Sequence, residues 1–175
     1  MNEFLATVER RAFRMARFAS GNTDDALDLL QNAMLDFVRR YASRPAKEWG
    51  PLFYRVLQSR IIDWHRRNSV RKRFFSWLGR GKDKEEEKDI QEAPDPSGSN
   101  PFDDVRREEK WTMLQKAIQK LPLRQQQAFL LRAWEEMDVA QAASAMGCSE
   151  GSIKTHYSRA VHTLRGLLKE IFHEG

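Results

Sequence analysis

Residues 138–165, DVAQAASAMGCSEGSIKTHYSRAVHTLR, constrain the fold more than any other stretch, because they specify two helices joined by a fixed turn. Asp138 suits a helix N-cap, and Gln141 falls three residues on, where a capping box needs its partner. Ala140, Ala142, Ala143 and Ala145 keep the first helix slim, so a second helix can approach closely. Gly147 supplies the turn, since glycine reaches positive φ without a Cβ clash, and Ser149 then caps the next helix. Ile153, Tyr157, Val161, Leu164 and Leu168 recur at spacings of four and three, the stripe of an amphipathic helix. The other side carries Ser152, Lys154, Thr155, Ser158, Arg159 and His162, polar side chains able to reach phosphates or base edges. The pattern is a helix-turn-helix with one face for a core and one for DNA.

The chain around this motif is basic, with a net charge of +5 and an isoelectric point near 9.5, which favours a polyanionic partner. No run of eighteen apolar residues exists, and the N-terminus MNEFLATVERRAFRMARF is too charged for a secretory signal, so a cytoplasmic protein without membrane insertion is expected. The single cysteine, Cys148, excludes an intrachain disulfide and suits a small core position in the turn.

Residues 83–104, DKEEEKDIQEAPDPSGSNPFDD, divide the chain: Pro94, Pro96 and Pro101, with clustered acids, leave little to bury. Just before them, residues 66–82 hold seven Lys or Arg and no acid, so a basic block abuts an acidic one. Ahead of the break, Phe4, Val8, Met15 and Phe18 mark a first helix that Gly21 and Asn22 interrupt. A second helix begins near Thr23, with Leu27, Leu30, Met34, Phe37, Val38 and Tyr41 expected on its core face. Asp25, Asp28, Asn32 and Asp36 oppose that face, an acidic and amide stripe on a basic protein. A loop, Ser43 to Gly50, leads to Pro51 and a third helix through RVLQSRIIDWHRRN. After the break a helix is expected around Val105–Lys120, then one opened by Pro122 with Phe129, Leu130, Ala133 and Met137 turned inward. No segment alternates with period two. The expected fold is all-α: two small helical domains joined by a flexible acidic linker, the C-terminal one carrying the helix-turn-helix.

Two function classes fit parts of this pattern. A stand-alone helix-turn-helix regulator would bind a palindrome as a dimer, with the N-terminal half as sensor; that half instead carries its own basic helix and shows no evident ligand pocket. A metal-dependent nuclease would need more than Asp24, Asp25 and Asp28, and His65, His156, His162 and His173 have no ligand-like spacing, so no enzyme activity, metal or other cofactor is expected.

Taken in order, the pieces resemble a bacterial RNA polymerase sigma factor of the extracytoplasmic-function group of the sigma-70 family. DALDLLQNAMLDFVRRY, Asp25 to Tyr41, is similar to the family's polymerase-binding helix, matching at Asp25, Asp28 and Gln31, with Asn32 where glutamate is usual. LFYRVLQSRIIDWHRRNSVRKR, Leu52 to Arg73, resembles the helix that meets the promoter −10 element, matching at Tyr54, Arg55, Ile62, Asp63, Arg66 and Arg67, with Ser59 in place of asparagine. The loop before it would hold a flipped −10 base, for which Lys47 and Trp49 are the available side chains; Trp49 equally suits an anchor packed on its own domain. LPLRQQQAFLLRAW and the helix-turn-helix resemble the −35 reader, from Leu121 and Pro122 through Gly147, Ser149, Gly151, Lys154, Thr155, Arg159 and Arg165, with His156 where arginine is usual. The resemblance implies a polymerase- and −10-binding domain over 1–80, an acidic linker over 81–104 and a −35-binding domain over 105–175. It implies core RNA polymerase and promoter DNA as partners, and commonly an anti-sigma protein. Polymerase docking then falls to Asp25, Asp28, Gln31 and Asn32, −10 contacts to Lys47, Trp49, Arg55, Arg66 and Arg67, and −35 contacts to Ser152, Lys154, Thr155, Ser158 and Arg159. In such a protein the acidic linker would lie in the basic path later taken by RNA.

Overall fold

The structure, a computed structural model, describes residues 1–77 and 101–173, with side chains over 1–74 and 109–169; most of the expected linker therefore lies outside the described residues. The described residues form seven α-helices: α1 (Asn2–Ser20), α2 (Thr23–Tyr41), α3 (Trp49–Trp77), α4 (Pro101–Gln119), α5 (Leu123–Phe129), α6 (Val139–Met146) and α7 (Glu150–His173). A 3-10 turn, Ala46–Glu48, leads into α3, and a π turn, Leu130–Trp134, extends α5. No strand occurs among the described residues.

The N-terminal half is an antiparallel pair, α1 and α2, laid against α3. Gly21 ends α1 at φ 81°, where its N–H still bonds the Arg17 carbonyl, a conformation costly for a residue with a Cβ. Asn22 then caps α2 by accepting from the Asp25 N–H at 2.8 Å. The buried face of α2 is Ala26, Leu29, Leu30, Ala33 and Phe37, whereas Leu27 and Val38, expected inside, are exposed. The two alanines explain the rotation: a fully buried alanine brings a neighbouring helix close and centres the stripe on itself, which a count of large apolar residues overlooks. Phe4, Phe37 and Phe53 stack in a triangle of edge and tilted contacts, 5.6 to 6.0 Å between centroids. Arg60 of α3 donates two hydrogen bonds to Asp36 of α2, so Asp36 serves the fold and leaves the acidic stripe. α3 runs 29 residues, past the expected end near Asn68.

In the C-terminal half α4 begins at Pro101, four residues before the expected start, which suits the fixed φ of a proline in a first turn. Ile118, Leu121, Leu131, Ile153, Ala160 and Leu164 form much of its core. The π turn lets the Glu135 N–H reach back to the Leu130 carbonyl, which shifts the helical register; Ala133 consequently faces solvent rather than the core, while Leu130 and Met137 stay buried. Phe129, half-buried, stacks on Tyr157 at 6.3 Å and 15°.

The two halves are in contact. α6 lies along α3, α1 touches α4 and α5, and Gln126 of α5, itself buried, donates to the Phe18 carbonyl and the Ile118 carbonyl.

Candidate nucleic-acid interface

The turn between α6 and α7 is built as its residues require. Asp138 accepts from the Gln141 N–H at 2.7 Å and Gln141 Oε1 accepts from the Asp138 N–H at 3.0 Å, a complete capping box. Gly147 sits at φ 62°, with its N–H on the Ala143 and Ser144 carbonyls. Ser149 Oγ accepts from the Ser152 N–H at 3.1 Å and shares a proton with Ser152 Oγ at 2.9 Å. Fully buried Ile153 and Ala160 lock the inner side of α7, which fixes the direction of the outer one. On that outer side Lys154, Thr155, Ser158 and Arg159 are exposed, and Thr155 donates its hydroxyl to the Gly151 carbonyl. Cys148, expected in the core, is only half-buried because the turn stands at the surface. His156 is held below its ordinary pKa, first by burial and then by the charges of Arg124 and Arg159, so it is neutral at pH 7.

Along α3, Arg55 and Arg66 stand three turns apart and therefore on one line, with Arg67 beside them; all three are exposed. Lys47 is exposed on the 3-10 turn. Trp49 is tied to its own domain: the indole N–H donates to the Arg44 carbonyl at 2.9 Å and the ring lies 5.7 Å from Phe4. On α2, Asp28, Gln31 and Asn32 point to solvent, while Asp25 is half-buried and accepts from Asn22 Nδ2 at 2.6 Å. Leu27 and Leu35, 43% and 54% exposed, join them, so this face is apolar and acidic together.

Residues 111–164 match the family model described as "Sigma-70, region 4". Over nearly its whole length the chain is also similar to the RNA polymerase sigma-E factors of Streptomyces avermitilis, at 29% identity over 93% of this chain and 82% of the relative, and of Streptomyces coelicolor, at 27% over the same shares. Residues 111–164 thus form a sigma-70 region 4 domain, and the chain as a whole is similar to RNA polymerase sigma factors. Its fold is that of the sigma factor RpoE from Bartonella quintana, solved with the anti-sigma factor NepR, with a TM-score of 0.64 and 23% identity over 97% of this chain and 98% of the other.

The matched region 4 contains the outer face of α7 from Ser152 to Arg159. Sequence reasoning missed Arg124, which α5 brings beside His156, with Nη1 donating to the Met146 carbonyl at 3.2 Å. Only the fold carries that cation to α7, so no spacing reveals it. Leu27, expected in the core, lies instead on this exposed face with Leu35, whose position one turn from Gln31 is the signal in the sequence that marks it. Among the described residues no three His, Cys, Asp or Glu side chains gather as metal ligands. No helix among them is long and apolar enough to cross a membrane.

Proposed function

We propose that this chain is a sigma factor that binds core RNA polymerase and directs initiation at promoters it reads in two places. Residues 105–175 serve as the −35 domain, with Lys154, Thr155, Ser158 and Arg159 in the major groove and Ser152 at its edge. Residues 1–80 serve as the polymerase and −10 domain, with Lys47, Arg55, Arg66 and Arg67 on DNA and with Asp25, Asp28, Gln31 and Asn32 toward polymerase. Trp49, whose N–H is taken, contributes by shaping the loop or by stacking with its free edge. The observation that carries this reading is the outer face of α7, four exposed donor-bearing side chains on a helix whose opposite side is locked in the core of a sigma-70 region 4 domain. The exposed basic line on α3 supports a second DNA contact, and the acidic and apolar face of α2 supports a protein partner with basic and apolar groups. The work of such a protein is cytoplasmic. Because a structurally similar sigma factor was solved with an anti-sigma factor, an anti-sigma protein is proposed as a further partner here.

Two substitutions separate the roles. Arg159→Ala weakens binding to a −35 duplex by about tenfold, the size of one lost base or phosphate contact, and leaves core polymerase binding unchanged. Asp28→Ala does the reverse. Equal loss of both activities in both variants would refute the division of labour.

A further inference from the structure

α3 outruns the domain it belongs to. It gives Phe53, Leu57 and Ile61 to the core, but from Ser69 to Phe74 every side chain is exposed, so these turns add nothing to the core. A helical stretch outside a core is expected to be polar all round. This one exposes Val70 and Phe74, 66% and 55%, the two most exposed large apolar side chains among the described residues. At about 100° per residue they stand one turn apart in the middle of one face, with Arg66 and Arg73 to one side and Arg67 and Arg71 to the other. Arg66, Arg67, Val70, Arg71 and Phe74 line a shallow groove of about 490 Å³ whose surface is almost all carbon, so the arginines contribute their aliphatic stems to it. No acid follows in the sequence until Asp83, and Asp63, exposed on the same face, marks the strip's other end.

We propose that this strip is a peripheral docking surface for an anionic lipid bilayer, on which the end of α3 lies flat with Val70 and Phe74 dipping to the acyl boundary and Arg66, Arg67, Arg71 and Arg73 reaching the lipid phosphates. The arrangement favours lipid over nucleic acid. A DNA backbone pairs with the four arginines but leaves Val70 and Phe74 in water, whereas a bilayer takes up both kinds of side chain, cations at its anionic surface and apolar groups just below it. From Arg66 to Phe74 the strip measures about 12 Å, far short of a span, so the chain rests on the bilayer and does not cross it. Arg66 and Arg67 are also assigned to the −10 contact, so bilayer and promoter exclude each other. That consequence rests on the function proposed above; the lipid contact itself does not.

The test floats the full chain with vesicles of phosphatidylcholine, alone or with one third phosphatidylglycerol. The chain rises with the anionic vesicles and stays behind with the neutral ones. Val70→Ser, at a position too exposed for folding to suffer, weakens that partition about tenfold, and Arg71→Ala weakens it about fivefold. An environment-sensitive dye at Val70→Cys, in a Cys148→Ser background, shifts to the blue on the anionic vesicles, which contact through charge alone does not produce. Failure to float with anionic vesicles overturns the proposal, as does flotation that ignores Val70→Ser and leaves the dye unshifted. If Val70→Ser weakens binding to DNA with vesicle binding unchanged, the strip belongs to nucleic acid and the lipid reading falls. Self-association that vanishes in Val70→Ser, with no flotation, assigns the strip to a second copy and has the same effect. Flotation with the expected losses, but no initiation by any form on polymerase, would leave the lipid surface standing and remove the promoter reading instead.

Discussion

His156 shows how one residue sets the character of the exposed face of α7. Its ring is neutral at pH 7, because burial first and then the charges of Arg124 and Arg159 oppose protonation. A cation at this place would add a phosphate contact without requiring a new backbone path. His156→Arg should therefore strengthen binding to DNA of any sequence and steepen the salt dependence by about one unit in the slope of log K against log salt, measured by fluorescence anisotropy. An unchanged slope would mean that the side chain does not reach the backbone. At the same scale the sequence spoke clearly where a residue has one physical use: Asp138, Gly147 and Ser149 were readable as cap, turn and cap because their backbone or side-chain chemistry leaves few alternatives. Trp49 was open between stacking on a base and anchoring a loop, and its hydrogen bond to Arg44 was not legible because it closes a loop of irregular shape.

At the scale of elements, α2 is where pattern reading went astray and where correcting it adds most. Nothing in the pattern weighs Ala26 and Ala33 above Leu27 and Val38, yet packing of α2 between its neighbouring helices buries the alanines and leaves Leu27 and Val38 outside. That rotation places Leu27 and Leu35 beside Asp28, Gln31 and Asn32 on a surface the fold does not use. Leu35→Asp should then reduce core polymerase affinity at least about tenfold, as loss of one buried leucine contact does, while the melting temperature of the free chain stays nearly constant. A drop in melting temperature with unaltered affinity would place Leu35 in the fold after all. The helix after Pro122 shows a different limit. No residue type announces a π turn, so the register expected for Ala133 was one step away from the one adopted.

At the scale of the whole molecule, the division into two helical halves was legible from the charge reversal and the prolines near residue 100, but their contact was not. Tyr54 donates its hydroxyl to Glu135 across 81 positions, and periodicity carries no information over such a distance. The contact has a pH signature. Burial raises the Glu135 carboxyl above its ordinary 4.5, outweighing the opposing pull of Tyr54 and Arg11. The folded chain therefore holds this proton more tightly than the unfolded one, so the stabilisation is complete below about 4.5 and is lost as pH rises through the elevated value. His65 acts in the opposite sense: burial lowers it below 6.5, and acidification through that window destabilises the fold. Comparing wild type with Glu135→Gln cancels His65, and wild type should gain relative stability in denaturant titrations as pH falls from 7 toward 5. A relative loss on acidification would contradict the assignment.

The central claim, that one chain reads two promoter elements on polymerase, is tested most directly by run-off transcription with purified bacterial core enzyme on genomic fragments. Initiation at discrete sites that depends on this chain is expected, with output lost when the sequence near either −10 or −35 is scrambled. Binding to those fragments as a dimer, with no initiation from any of them, would contradict it.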